Sequence, residues 1–210
     1  MSDHDKDFDF EPHPGLPKAL PEGETLLWQG SPDPAALAHE AFKAHWVLGY
    51  LLILAVWRAS AAFPDGFARS VAVFLPYLVL ALAAYALIRL LARATARAAI
   101  YSITTHRVIL RIGAALRVTW TVPFSKVAAA SLSTRPTGIG TIAIELASGQ
   151  RISYLALWPH LRPGFAGKAQ PAFRCIPDAA RAARILSDAA QTRVNEPVVS
   201  FRVSSPIAAE

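Results

Sequence analysis

The chain has 210 residues, 53% of them hydrophobic and only 17% charged, with a net charge of +6; this length holds one ordinary domain with additions and excludes two large ones. Soluble globular chains carry about 25% charged residues, and here the deficit is concentrated, because between Ala44 and Ile88 the only charged residues are Arg58, Asp65 and Arg69. Cys175 is the only cysteine, which excludes an intramolecular disulfide and a cysteine-built zinc site.

Residues 1–42 form an acidic, proline-rich arm. Nine acids face two lysines over residues 1–40, and the acidic start is the opposite of a signal peptide's basic region. Pro12, Pro14, Pro17 and Pro21 bias the arm toward extended structure. The segment Leu27-Trp-Gln-Gly30 is expected to fold against a β domain or the membrane surface, with Trp28 as its anchor or as a membrane or partner contact.

Residues 43–97 predict a two-helix transmembrane hairpin, with spans at about 44–63 and 70–92. Residues 70–88 contain no charge and cover about 28 Å as a helix, close to the hydrocarbon thickness. Pro76 is expected to kink this span. In the first span Arg58 interrupts an apolar run near its far end, where its side chain can snorkel. A re-entrant or in-plane helix is the alternative there. Trp46, Tyr50, Trp57 and Phe63 cluster toward the span ends as interfacial aromatics do, and Phe63-Pro-Asp-Gly66 is a turn. Lys43, Arg89, Arg93, Arg97 and Arg107 flank the terminal side against Arg58 and Arg69 at the turn. The positive-inside rule then places both termini in the cytoplasm of an inner (intracytoplasmic) membrane. Arg89, Arg93 and Arg97 recur every four residues and share a helical face for headgroups or a partner. A basic chain can also mean nucleic acid, but basic residues directly after an apolar span are more simply an orientation signal, so no nucleic-acid partner is expected.

Past residue 98 the hydrophobic period becomes strand-like. Strands are predicted at 100–104, 107–112, 116–122, 127–134, 141–146, 151–155 and 171–176, followed by an amphipathic helix over 177–190 with Ala179, Ala182, Ala183, Leu186 and Ala190 on its apolar stripe. Six or seven antiparallel strands plus one closing helix make a partly open barrel over residues 98–192. Residues 193–210 are a tail with one further candidate strand at 198–203.

The pattern Tyr101-x-Ile-Thr-x-x-Arg107-Val-Ile-x-Arg111-x-Gly113 followed by Val122-Pro-Phe-Ser-Lys-Val127 resembles bacterial pleckstrin-homology-like domains that follow membrane spans. Glu11-Pro-His-Pro-Gly-Leu-Pro17, Leu20-Pro-Glu-Gly-Glu24, Leu27-Trp-Gln-Gly-Ser-Pro32, Leu157-Trp-Pro-His160 and Arg174-Cys-Ile-Pro-Asp178, in this order, resemble the PuhB family of photosynthetic complex assembly proteins of purple bacteria. The resemblance touches about residues 8–190. Two positions depart from it: Arg162-Pro-Gly-Phe165 lacks a tryptophan after the proline, and Lys43 stands where the family is expected to have histidine, so no role of that histidine carries over.

No catalytic motif is present: there is no Gly-x-Ser-x-Gly, no phosphate-cradling Gly-Lys-Ser/Thr loop and no His-Glu-x-x-His. Gly138-Ile-Gly140 reads as a turn, and Glu145 is isolated in a strand. The chain is therefore expected not to be an enzyme and to need no cofactor. Of six histidines, His4 and His13 lie in the arm, His106 occupies a hairpin turn, and His160 reads as docking its loop by a hydrogen bond. His39 and His45 sit where the membrane begins; His45 is a candidate bacteriochlorophyll ligand, set against the plainer reading of an interfacial histidine. The resemblance implies a non-enzymatic assembly factor for the reaction centre and its light-harvesting complex. Its partners would be membrane lipid and reaction-centre subunits or other assembly factors, with a homodimer left open. The alternative is a membrane-tethered lipid- or peptide-binding module in which Arg107, Arg111, Arg117 and Lys126 bind anionic lipid.

Overall fold

The computed structural model describes residues 20–113, 118–147, 153–164 and 169–195. Strands β1 (Leu26–Gly30), β2 (Ile100–Thr104), β3 (Arg107–Ile112) and β4 (Val118–Pro123) form one antiparallel sheet in that order; β5 (Val127–Thr134), β6 (Gly140–Leu146) and β7 (Ala172–Ile176) form a second. Tyr101, Ile103, Val108 and Leu110 of the first sheet meet Ile142, Ile144, Phe173 and Ile176 of the second in one buried core. Each such side chain contributes about 1.5–3 kcal/mol by burial. Helix α5 (Ala179–Asn195) closes the assembly with Ala179, Ala182, Leu186 and Ala189 turned inward. The seven strands and closing helix agree with the expected fold.

Two local expectations change. β1 comes from the arm, before the long helices, and pairs with β2, so a boundary at residue 98 leaves out one strand of the domain. Trp28 stacks on Phe173 with ring centroids 5.9 Å apart and packs, partly buried, against the core, as an anchor of the segment on the β domain. Tyr154–Leu157 is a short helix, α4, where a strand over 151–155 was expected. The physical reason is edge occupancy: β6 is already paired by β5 on one side and β7 on the other. Residues 151–152, the tail strand at 198–203, Arg117, His4 and His13 lie outside the described residues.

The arm is tied down by charge as well as by β1. Glu24 accepts from Arg107 Nε at 2.8 Å and from the Thr104 hydroxyl at 2.6 Å, while Thr104 Oγ1 also accepts the Arg107 N–H that closes the β2–β3 turn. Burial alone would raise the Glu24 carboxyl, but the bonds from Arg107 and Thr104 outweigh it and hold the group below its usual 4.5. The stabilisation is therefore present above pH 4.5 and is lost as pH falls below it. Glu24→Ala is expected to cost about 1–2 kcal/mol, read from the denaturation midpoint at pH 7. An unchanged midpoint would contradict this role.

Helices α2 (Ala44–Ala61) and α3 (Phe67–Ala98) pack as an antiparallel pair, joined by a 3-10 turn at Phe63–Asp65. Both are long and apolar enough to cross a membrane, and only 11% and 6% of their most apolar windows are buried. A core helix of a soluble protein is buried; these instead expose Trp46, Ile53, Trp57, Val79 and Leu87. The α3 helix runs unbroken through Pro76, and its 32 residues span about 48 Å, beyond a hydrocarbon core of about 30 Å. Only Ala99 separates it from β2, so the helix enters the sheet without a linker.

Candidate functional site

The helical pair meets the β domain at a junction built from α1 (Pro34–Glu40), the end of α3 and β7. Asp33 caps α1, its carboxylate accepting the Ala36 N–H at 2.7 Å, and Pro34 opens the first turn. The Asp33 N–H in turn donates to the Cys175 carbonyl at 2.7 Å, fixing the helix start to β7. Leu37 and Ala36 pack with Ala96 of α3 and Cys175 of β7, while Ala38, Ala44 and Ala92 form the adjoining cluster. Thus α1 is wedged between the hairpin and the domain.

A bulge in β7 aims charge into this wedge. The register between β6 and β7 shifts between Gly140 and Ile142, and Cys175 takes a left-handed φ of 53°. Arg174 is consequently buried, with its guanidinium 3.6 Å from Glu40 and donating to the Pro159 carbonyl at 3.4 Å. The other Glu40 oxygen pairs with Arg135 Nε at 2.8 Å. Beside them, the Tyr101 hydroxyl lies 2.6 Å from His160 Nδ1 and accepts the Arg174 N–H at 3.4 Å. The tautomer of His160 sets which of the two donates across this contact. Burial, with Arg174 adding to it, lowers His160 to about 4, and burial raises the Tyr101 phenol above its ordinary value, so both are neutral at pH 7. The Trp158–Pro159 peptide is cis, and Trp158 packs edge-on against Phe42 at 5.0 Å, closing the junction over the start of α2.

Burial pushes the Cys175 thiol up to about 12, and the Glu40 charge adds to the rise. A maleimide reagent at pH 7.5 is expected to leave the native chain unlabelled and to react once the domain is denatured. Fast labelling of native protein would show that the wedge opens.

The predicted site residues divide clearly. Arg89, Arg93 and Arg97 share an exposed face of α3 as expected, while Tyr85, Ile88, Ala92 and Ala96 face the wedge. Arg89 lies over the Tyr85 ring and donates to its hydroxyl at 3.3 Å. Trp46 is 76% exposed, and Trp57 is also exposed. His45 lies 4.8 Å from the His39 ring and 5.8 Å from Tyr85. The His45 ring is exposed at the start of α2. Among the described residues no three His, Cys, Asp or Glu side chains are grouped to hold a metal ion. Of the basic set expected for lipid binding, Arg107 is paired with Glu24, and Arg117 lies outside the described residues. The charged trio of Glu40, Arg135 and Arg174 was missed in the sequence. Its one signal was an arginine inside the apolar run Ala172–Ile176.

Residues 43–190, more than half of the chain, match the bacterial PH domain family, and the chain belongs to that family. The match takes in both long helices and every strand except β1. The chain is also similar to a protein of Rhodobacter capsulatus described as an "Uncharacterized 23.7 kDa protein in puhA 5'region", at 53% identity over 205 residues that cover 95% of this chain and 94% of the relative. No solved structure matches the chain.

Proposed function

We propose that this chain is a membrane-anchored, non-enzymatic assembly factor for the photosynthetic reaction centre, and its associated light-harvesting complex, in a purple bacterium. The observation that carries the reading is the uncovered apolar hairpin locked without a linker to a PH-like domain. Such a body can hold a newly inserted subunit in the membrane with the helices and on the cytoplasmic side with the domain. The R. capsulatus relative's place in the puhA 5' region supports a photosynthesis-related context, and the motif resemblance supplies the target complex. The flanking arginines favour cytoplasmic termini in the inner membrane.

Transient helix–helix packing uses small residues that allow close approach. Ala55 and Ala81 are fully buried and so are taken up by the chain's own packing. Ala83 is exposed, and a Cβ built on Gly49 meets no atom within 4 Å, so these two remain for a partner. Detergent pulldown with the intact chain is expected to recover reaction-centre subunits, and Gly49→Leu with Ala83→Leu to reduce recovery about tenfold while leaving the chain folded. Undiminished recovery would remove these two positions from the mechanism; recovery of no reaction-centre subunit by the unaltered chain would contradict the function.

A further inference from the structure

β5 is an edge strand with no strand partner on its outer side among the described residues. It is eight residues long, uncharged and proline-free, and its residues from Ala128 onward are exposed. Edges of this kind invite pairing unless charge, proline or a cover blunts them. Alongside it runs an apolar groove of 480 Å³ between β5 and α5, lined by Leu132, Ile142, Leu186 and Ala190 among others.

The course of α5 decides which segment reaches this groove. Its first turn lies at the far end of β5, where the Ala179 N–H donates to Gly138 and a Cβ on Gly140, the partner of Thr134, would stand 2.7 Å from Ala179. The helix also contacts the turn Phe124–Lys126 just before β5 begins. It therefore runs antiparallel to β5 and ends at Asn195 near the head of the groove. Pro197 follows, and residues 198–203 read Val-Val-Ser-Phe-Arg-Val, with Val199, Phe201 and Val203 alternating against Ser200 and Arg202. A two-residue link is within the usual range for a helix-to-strand connection, about 2–6 residues.

We propose that residues 198–203 add to the free edge of β5 as a fourth strand, running parallel to it, with Val199, Phe201 and Val203 filling the groove. The two faces of β5 suit this register. Ala130 and Leu132 stand opposite the buried Ile144 and Ile142, whereas Ser131 and Ser133 stand opposite Ala143 and Thr141 on the other face. The apolar side of the tail thus meets the core side, and Ser200 and Arg202 meet the serines. The tail is covalently present at every copy of the groove, an advantage in effective concentration over any separate chain.

The test uses the full chain in detergent, where the buried Cys175 stays unreactive. Oxidation of Ser131→Cys/Ser200→Cys is expected to give a disulfide within one chain, in clear excess over the control pair Ala35→Cys/Ser200→Cys. Hydrogen exchange at β5 amides is expected to quicken about tenfold on removal of residues 196–210, and likewise in Phe201→Asp, which keeps the tail's length. Cross-linking no better than the control, with exchange unchanged in both variants, would overturn the proposal. Disulfide-linked dimers with protection that fades on dilution would overturn it too, assigning the edge to a second copy.

Discussion

Glu40→Ala is expected to destabilise the folded chain by about 3 kcal/mol, the low end for breaking a buried ion pair. Its effect comes less from the attraction lost than from what stays behind. The Arg174 side chain is only 7% exposed and has an Nε without a partner among the described residues. Glu40 also gathers Arg135, so its removal leaves two cations near one another without their shared anion. Arg174→Met alone should cost less, because it removes the charge along with its need for a partner. In the double variant Arg174→Met/Glu40→Ala, the cost should fall well short of the sum of the two singles. Denaturation followed by near-UV circular dichroism in detergent reads these differences. A Glu40→Ala loss under about 1 kcal/mol, or strict additivity, would mean that Arg174 finds water instead.

The second large effect is with pH. His160 keeps its ring neutral in the fold down to about 4, whereas in the unfolded chain it takes a proton near 6.5. Between these values the unfolded state binds more protons, so stability falls as pH falls through that window and is flat above it. The full window is worth about 3 kcal/mol. Glu24 adds its own loss only below 4.5, at the lower margin of this range. His160→Gln keeps an acceptor near Tyr101 but cannot titrate, so it should be less stable at pH 7.5 and nearly level from 6.5 to 4.5. A slope identical to that of the unaltered chain would assign the pH dependence to other groups.

The parts of the fold that rest on local pattern were legible in the sequence. The β-branched runs at 100–104 and 107–112, the uncharged run before Arg89 and the apolar stripe of α5 are each set by local composition and spacing. The misses arose where distant segments decide. Leu26–Gly30 is a short edge strand inside an arm whose prolines and acids point away from pairing, and only β2 makes it a strand. Helix α1 had a local start signal in Asp33-Pro34, yet its seven residues are stabilised by the wedge rather than by propensity. Tyr154–Leu157 looked like a hairpin strand because nothing local reveals that β6 has both edges filled. His160 was legible as a loop-docking group, but Tyr101 as its partner was not. In the sequence Arg174 stands only as part of the run Arg174–Asp178, since a buried charge is intelligible only once Glu40 is beside it.

The assembly role is tested most directly by deletion of the gene in its native host followed by near-infrared absorption spectra of the membranes. Selective loss of reaction-centre bands, restored by the unaltered chain and not by one carrying Gly49→Leu with Ala83→Leu, is the predicted result. Unchanged spectra and normal photosynthetic growth would contradict it and leave a membrane-tethered binding module as the better account of the same fold.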